Sequence, residues 1–387
     1  MISAIFRVVG TLLCLAAFAG EAAGTGETAS PDRHLLPSLN GPIVAERVLT
    51  GLSEPVAIEF LPGGKALILQ RNRGLMSLVD FAGGEKLDIE GMPDMLVLDA
   101  AGAHDIELHP QYAENGWIYV AYSEGEEHRS TAVVDRVRLR GHHVVARERI
   151  FSADAYSEGL YHFAARIAFA DGYLFLALGD REHPPMAQDN TNHAGTIVRL
   201  HDDGRVPTDN PFVGAAAPEG TKPPRPEIWS YGHRDPQGLY RHPQTGALWS
   251  HEHGPRGGDE LNLVKKGANY GWPVVSYGFQ YDGGPIGMGI PAQEGMEVPA
   301  WVFVPSIAPS DMVIYQGQAF PAWQGSFLIG SMVQTHLNRL VLRDGEVVAE
   351  ERLAQRILGR IRAVAVDQAG HVYLGSDNGE IWRLRPQ

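Results

Sequence analysis

The 387-residue sequence contains almost no cysteine: Cys14 is the only one. A single cysteine cannot form an internal disulfide, so the sequence does not encode a small extracellular scaffold stapled by disulfides. It also lacks apolar runs of the roughly 20 residues that span a bilayer, and no membrane span is predicted for the mature chain. Basic residues are in deficit, with 32 Lys and Arg against 46 Asp and Glu. The resulting net charge of -14 argues against a nucleic-acid partner, because such binding depends on clustered basic side chains.

The N-terminus has the features of a secretory signal. It carries one arginine, an apolar run from Val8 to Phe18, and small residues at Ala17 and Ala19 that fit an A-x-A cleavage pattern. The apolar run is too short for a membrane anchor. We therefore predict a signal peptide over residues 1–23 and export of the mature chain to the periplasm or the medium.

Sustained helical periodicity is absent as well, since no stretch keeps a 3.6-residue apolar repeat. Short apolar segments around Gly, Asp or Pro turns instead recur six times, as in "PVAIEFLPGGKALILQ" and "ARIAFADGYLFLALGD". Hairpins repeated at a spacing of about 40 to 60 residues are typical of propeller blades. The sequence predicts an all-β, six-bladed β-propeller with four-stranded antiparallel blades over residues 41–387, after a flexible lead-in over residues 24–40. Two β-sandwich domains are the alternative, although no polar linker divides the chain.

The stretch "HEHGPRGGDELN", residues 251–262, concentrates histidines, acids and glycines. His251 and His253 are two apart, so on a strand both side chains would point to one face, and imidazole is a good zinc ligand. A third ligand is not evident nearby in the sequence. Zinc on these two histidines is therefore one interpretation of the stretch.

Several segments resemble the soluble aldose dehydrogenases of the glucose/sorbosone dehydrogenase family. These enzymes depend on pyrroloquinoline quinone (PQQ). The segments include "DIELHPQYAENGWIYVAYSE", "HFAARIAFADGYLFLALGD", "PEIWSYGHRDPQGL" and "HEHGPRGGDELNLVKKGANYGWPVVSYG", in family order. The match is most specific across residues 227–278. The resemblance implies a six-bladed propeller that oxidises the anomeric carbon of an aldose to a lactone with PQQ and calcium (Ca2+). It also implies a sugar substrate and an external electron acceptor, such as a quinone or a cytochrome.

The resemblance assigns the catalytic roles to three residues. His162 matches the general base that removes the hydroxyl proton while hydride moves to the cofactor, and such help is worth roughly 10²–10⁴-fold in rate. Asp180 matches an acid that supports this step, because a carboxylate partner can hold one imidazole tautomer and stabilise its cation. Arg234 matches the arginine that polarises the quinone oxygens.

Cofactor contacts are implied for a further set of polar residues. They are Arg234, Asp235, Gln237, Tyr281, Arg360 and Arg362. The last two stand two apart in "GRIRAV", which would place both guanidinium groups on one strand face, where each can make charge-assisted bonds to a carboxylate.

The resemblance also implies two calcium sites in or near the histidine stretch. The catalytic ion would be held by the main-chain carbonyls of Gly254 and Pro255 together with cofactor atoms, because calcium favours oxygen ligands. Glu260 and Tyr270 match residues of a second, structural site, the first through its carboxylate and the second through its carbonyl. On this interpretation the histidines are neighbours of a metal and do not bind it.

Several positions depart from the family pattern. Ala100 stands about where a glutamine is common, His104 replaces an apolar residue, and "HFAAR" replaces "HFGGR". Asp235 stands where asparagine is usual, Ala363 replaces an acid that often follows the terminal arginines, and the loop "IGSMVQTHL" has no lysine. Ala100 and Asp235 fall on cofactor or substrate contacts, so these changes bear on affinity and substrate more than on fold.

Two other classes of function remain open from the sequence. One is a calcium-dependent propeller lactonase or other hydrolase, which would have no use for the three arginines 234, 360 and 362. The other is a sugar-binding propeller without catalytic activity, which the altered cavity residues would favour. Binding of PQQ and sugar-dependent dye reduction would separate both from the dehydrogenase.

Overall fold

The computed structural model describes residues 32–217, 219–343 and 345–387. The predicted signal peptide lies outside these residues. The described chain forms six separate antiparallel sheets, five with four strands and one with five. The predicted six-bladed β-propeller is therefore confirmed, and one blade carries an additional strand.

The strands are numbered β1 to β25 in chain order. The first fourteen are β1 (Arg33–Leu36), β2 (Ile43–Leu49), β3 (Pro55–Phe60), β4 (Ala66–Gln70), β5 (Leu75–Asp80), β6 (Glu85–Asp88), β7 (Ala103–Leu108), β8 (Ile118–Glu126), β9 (Arg129–Arg140), β10 (His143–Ser152), β11 (Ala164–Ala170), β12 (Tyr173–Leu178), β13 (Thr196–Leu200) and β14 (Ile228–Tyr231). The others are β15 (Pro236–Arg241), β16 (Leu248–Glu252), β17 (Asp259–Leu263), β18 (Trp301–Phe303), β19 (Pro309–Ile314), β20 (Phe327–Ser331), β21 (His336–Arg343), β22 (Glu346–Leu353), β23 (Ile361–Val366), β24 (Val372–Ser376) and β25 (Glu380–Pro386). Blades 1 to 5 take β3–β6, β7–β10, β11–β14, β15–β18 and β19–β22.

Blade 6 joins the two ends of the described chain. Its strand order is β1-β2-β25-β24-β23, so β2 pairs with the last strand and closes the ring. Glu46 on β2 accepts hydrogen bonds from Arg385 at 2.5 Å and Arg383 at 2.8 Å, and these contacts lower the pKa of Glu46 to about 2. Strand β1 falls inside the predicted flexible lead-in over residues 24–40. That part of the prediction is wrong for residues 33–36, which pair with β2.

The first strand of each blade lines the centre of the ring, and each contacts the first strand of the next blade until β23 contacts β3. Six hydrophobic clusters fill the spaces between neighbouring blades. Strand β12 contributes to two of these clusters, because Leu174 and Leu176 pack toward blade 2 while Phe175 and Ala177 pack toward blade 4. A strand buried on both faces needs apolar residues at successive positions, which explains runs such as "LFLAL".

The helices are short and contribute little to the core. Those that the structure describes are α1 (Tyr112–Asn115) and three 3-10 segments, Arg71–Arg73, Pro184–Gln188 and Pro321–Trp323. None of the helices in the described residues has the length and apolar character required to cross a bilayer.

All six inner strands share an irregularity at the end where they begin. Each has a register shift of the β-bulge type at its first paired residues, at Pro55, Ala103, Ala164, Pro236, Pro309 and Ile361. A bulge breaks the pairing ladder and redirects nearby side chains, and bulges are common beside active sites. The six strand beginnings therefore present irregular, polar backbone around one end of the central axis.

Candidate active site

A cavity of about 600 Å³ opens at the end of the ring where the inner strands begin. Every blade contributes a lining residue from the start of its inner strand: Glu54, His104, His162, Asp235, Ala308 and Arg360. A second cavity of about 440 Å³ adjoins it, and His162, Arg234 and Tyr281 line both. The volume of the first is within the usual range for small-molecule sites.

His162 is held by a buried carboxylate. Its Nδ1 lies 2.6 Å from Oδ1 of Asp180, whose side chain is fully buried. The other carboxylate oxygen accepts a hydrogen bond from Nε1 of Trp272 at 2.8 Å, and the backbone N–H of Glu182 donates to Oδ1 at 3.0 Å. Because Asp180 is fixed and occupies Nδ1, the Nε2 atom of His162 is the nitrogen free to exchange a proton with a ligand.

The electrostatic surroundings of His162 favour its cation. Burial alone would lower its pKa, but the charge of Asp235 and the hydrogen bond to Asp180 raise the pKa above the ordinary value. Burial would raise the pKa of Asp235, yet His162 and His253 keep it below the usual range. The two acids are thus arranged to stabilise the imidazolium that forms when His162 accepts a proton.

Asp235 belongs to a polar network on the cavity wall. Its Oδ1 accepts a hydrogen bond from Nε2 of Gln237 at 2.9 Å, and its Oδ2 lies 3.4 Å from Nδ1 of His253. The other ring nitrogen of His253 donates to the carbonyl of Pro309 at 2.8 Å. The carboxylate at this family-atypical position is therefore buried with partners of its own.

Arg234 lies between the two cavities and is almost fully buried. Its Nη1 donates to the carbonyl of His253 at 3.0 Å, and its backbone N–H donates to Oε2 of Glu252 at 2.6 Å. The guanidinium carbon lies 5.3 Å from the centre of the Trp272 ring, a cation–π distance. These contacts hold a permanent positive charge next to His162.

The opposite wall of the cavity carries three more guanidinium groups. Arg360 and Arg362 both donate to Asp377, at 2.7 and 2.5 Å, as expected for two side chains on one strand face. Glu54 lies 3.0 Å from Arg362 and 3.3 Å from Arg71. Burial, followed by the nearby Arg362, lowers the pKa of Arg71 to about 10, so it stays charged at neutral pH. Three cations share two carboxylates here, which leaves an excess of positive charge for an anionic ligand.

A pair of carboxylates lies behind the histidine stretch. The side-chain amide of Asn262 donates to Glu252 at 3.0 Å and to Glu260 at 3.2 Å, so the two acids are neighbours around a cavity of about 20 Å³. Burial and then the charge of Glu252 raise the pKa of Glu260 to about 8. The Tyr270 hydroxyl donates to the carbonyl of Leu263 at 2.6 Å, so the carbonyl of Tyr270, not its hydroxyl, is the group left for a ligand. A cation would relieve the repulsion between the two acids.

Gly254 and Pro255 line the large cavity. The loop is fixed by Asp259, which accepts the N–H of Gly254 at 2.9 Å and the N–H groups of Ile307 and Ala308 at 2.8 Å. The carbonyl of Gly254 lies at the edge of hydrogen-bond range from Arg234, 3.5 Å from Nη1.

The zinc interpretation of His251 and His253 finds no support. His251 is fully buried, and burial lowers its pKa well below the ordinary value. His253 faces Asp235 and Pro309. In the part of the chain that the structure describes, the two histidines do not belong to a group of three potential metal ligands.

The sequence model of the glucose/sorbosone dehydrogenases matches residues 52–383, which cover the six blades almost completely. The chain belongs to this family. It is 33% identical to the aldose sugar dehydrogenase YliI of Escherichia coli, over 87% of this chain and 91% of that protein. It is 23% identical to the quinoprotein glucose dehydrogenase B of Acinetobacter calcoaceticus, over 76% of each chain. A crystal structure of a glucose dehydrogenase with 38% identity superposes with a TM-score of 0.83, covering 89% of this chain and 99% of that one.

Membership of the family makes the departures in "HFAAR" interpretable. Ala164 and Ala165 have φ values of 56° and 60°, in the left-handed region where glycine is free and other residues are strained by about 1–2 kcal/mol each. The glycines usual at these positions in the family therefore match the backbone that this protein also adopts.

His104, another departure from the family pattern, packs against the Phe163 ring at 5.2 Å and bonds Ser123 at 2.7 Å, and burial keeps it neutral by lowering its pKa.

The geometry brings together most of the residues that the sequence singled out. Tyr281 is exposed over 71% of its surface and stands at the mouth of both cavities. Sequence reasoning missed several contributors, among them Arg71, Glu54, Trp272 and the buried acid Glu252. Glu252 stands between the two histidines of "HEHGP", so its position was a usable signal. The others have no local pattern that marks them.

Proposed function

We propose that this sugar dehydrogenase oxidises the anomeric carbon of an aldose, or a related alcohol, to the lactone with PQQ and calcium, and that His162 is the general base. The observation that carries the proposal is that His162, paired with buried Asp180, lies on the wall of a cavity that is also lined by four arginines. The name of the Acinetobacter calcoaceticus relative, a quinoprotein, supports the choice of cofactor.

The cavity fits an anionic, planar cofactor such as PQQ. Arg360, Arg362 and Arg71 would hold its carboxylates, with Arg234 and Gln237 near its quinone edge and Tyr281 at the cavity mouth. Guanidinium groups bind carboxylates through two parallel, charge-assisted hydrogen bonds. When bound, PQQ supplies an electrophilic quinone carbon that accepts the hydride.

The protein's part in the reaction is to remove a proton and to stabilise charge. Nε2 of His162 accepts the proton of the anomeric hydroxyl, which makes loss of the hydride from the same carbon easier. Asp180 keeps Nδ1 protonated and stabilises the resulting cation, and Asp235 adds a second negative charge nearby. Arg234 would hold a positive charge beside the bound cofactor and would stabilise the negative charge that reduction brings.

Calcium fits two places in this part of the molecule. The carbonyls of Gly254 and Pro255 are oxygen ligands at the cavity wall, and calcium there would polarise the cofactor. Glu252, Glu260 and the Tyr270 carbonyl form the second place, where two neighbouring buried acids favour a divalent cation. We assign the first to catalysis and the second to structure.

The second cavity gives a sugar access to His162. It lies beside the arginine-rich cavity, and Asp180, Trp272 and Gln280 contribute polar groups to its walls. Electrons would then pass from the reduced cofactor to an external quinone or cytochrome.

The decisive experiment is reconstitution of the purified protein with PQQ and calcium. We expect cofactor absorbance to appear and an aldose to reduce an electron-accepting dye. His162→Gln should reduce kcat by more than about 10²-fold while leaving PQQ binding and the melting temperature near those of the wild type. A variant with near wild-type kcat would show that the mechanism is wrong. Lactone hydrolysis without dye reduction would identify a hydrolase instead.

A further inference from the structure

We propose that Glu90, His142 and His143 form a zinc site on the outer edge of the propeller, where blade 1 meets blade 2. The three side chains place one ligand atom each within 4.8 Å of one another. They lie outside the catalytic cavity and have no part in the proposed sugar oxidation.

The ligand distances suit a tetrahedral metal ion. Glu90 Oε2 lies 3.1 Å from Nδ1 of His143, and Oε1 lies 3.8 Å from Nε2 of His142. Zinc bound to nitrogen and oxygen at about 2.0–2.1 Å requires ligand atoms about 3.3–3.4 Å apart, so small rotations of these side chains complete the geometry. Two imidazoles and one carboxylate favour zinc and disfavour calcium, which requires oxygen ligands. A water molecule would take the fourth position.

The backbone holds the ligands in place before any metal binds. Glu90 follows strand β6, while His142 and His143 lie at the hairpin between β9 and β10. The N–H of Glu90 donates to the carbonyl of His142 at 2.9 Å, and the N–H of Val144 donates to the carbonyl of Glu90 at 2.9 Å. Two segments from different blades are thus tied at the ligand positions. A metal here needs only to order side chains, and it would clamp the two blades together.

The neighbouring residues anchor this junction. Ile89 is buried in the cluster between blades 1 and 2, and Val144 packs against the same cluster. The centres of the His142 and His143 imidazole rings lie 4.0 Å apart, with the ring planes tilted by 38°. Both rings therefore lie beside the Glu90 carboxylate, at a place that is partly open to solvent.

The test is zinc titration of untagged, chelator-treated protein by calorimetry, in excess calcium so that the oxygen sites are filled. Slightly alkaline pH is used because protons compete with zinc for its ligands. We expect one zinc equivalent with micromolar affinity and a higher melting temperature when zinc is present. Glu90→Gln and His143→Gln should each weaken zinc binding at least tenfold and abolish the thermal shift. His128→Gln is the matched control, because His128 is another exposed histidine, in the β8–β9 hairpin.

The outcomes separate a metal site from a plain ion pair. Loss of the zinc equivalent in both variants, with His128→Gln unchanged, supports the site. Absence of zinc binding by the wild type, or binding that neither variant weakens, overturns it and leaves Glu90 and His143 as a surface hydrogen-bonded pair. Dye reduction by the reconstituted enzyme should be the same with and without zinc, so failure of this proposal is distinct from failure of the proposed function.

Discussion

Asp235→Asn tests how this protein differs from its relatives, because asparagine is usual at this position in the family. The carboxylate is buried in the cavity wall with Gln237 and His253 as partners and Arg234 next to it in the chain. Asparagine has nearly the same shape and removes the negative charge. We expect PQQ to bind about tenfold more tightly to the variant.

The magnitude follows from the charges around the site. A carboxylate as close as about 4 Å to Asp235 would be repelled by up to about 4 kcal/mol at an effective dielectric constant near 20. This is an upper bound, because the cofactor carboxylates are proposed to lie on the opposite wall with Arg71, Arg360 and Arg362. Arg234 and His253 cancel much of this repulsion. The asparagine side chain also loses some hydrogen bonding to Gln237 or His253, which costs about 1 kcal/mol. A net gain of about 1.4 kcal/mol corresponds to the tenfold change.

The same variant should change the pH dependence of turnover. Asp235 raises the pKa of His162, so removal of its charge lowers that pKa. His162 must be neutral to accept a proton, and it becomes protonated as the pH falls. The acid limb of the kcat/KM profile should therefore move to lower pH in Asp235→Asn.

The assay is titration of the apo-protein with PQQ at fixed calcium, followed by kcat/KM across pH with one aldose. Asp99→Asn is a charge-matched control, since Asp99 lines the same cavity but is exposed to solvent, and it should change neither quantity appreciably. Weaker PQQ binding by Asp235→Asn would refute the argument and indicate that Asp235 organises Arg234 or recognises a different ligand. An acid limb that stays in place would show that Asp235 does not act on His162.

Three further predictions concern metal, closure and packing. Chelation should abolish activity, and calcium but not zinc should restore it. Glu260→Gln should raise the calcium concentration needed for this restoration. Restoration by zinc would contradict a set of oxygen ligands. Glu46→Gln should destabilise the fold by about 1 kcal/mol at neutral pH. Because the pKa of Glu46 is lowered, its stabilisation is complete above pH 4.5 and is lost as the pH falls toward about 2. The free energies of unfolding of wild type and variant, measured with denaturant, should therefore converge at low pH. A difference that stays constant with pH would contradict this prediction. Gly238→Ala should cost about 1–3 kcal/mol, because its new Cβ would lie 2.1 Å from Nε2 of buried His251; an unchanged melting temperature would disprove that tight packing.

The architecture was predictable because each blade is local in sequence. Strand β12 and its neighbours carry apolar residues on successive positions between turn residues, and this pattern recurs six times. Strand β1 was not predictable in the same way. Its sequence "RHLL" is half polar, lies among turn-forming residues, and becomes a strand only because β2 offers it an open edge.

The site was predictable to the extent that its residues are close in sequence or carried by the family resemblance. His162 and Asp180 lie in one blade, and the structure places them 2.6 Å apart, although their catalytic role stays a prediction. From the residues alone, His162 would be only a polar residue near a strand start. Glu54 meets Arg362 because blade 1 and blade 6 adjoin across the closed ring. The sequence around Glu54 and the sequence around Arg362 contain no pattern that predicts this contact, because it depends on closure of the ring.

The closure of the ring by β2 and β25 also constrains the order in which the blades can form during synthesis. Blades 1 to 5 consist of consecutive strands and can each pair as soon as they emerge during synthesis. Blade 6 cannot form until residues 380–386 exist, and until then β2 offers an unpaired edge to any extended chain nearby. Strand β25 therefore closes the whole ring. A chain truncated just before β25 would have an open ring, and the unpaired edges of β2 and β24 would be prone to pair with those of other molecules.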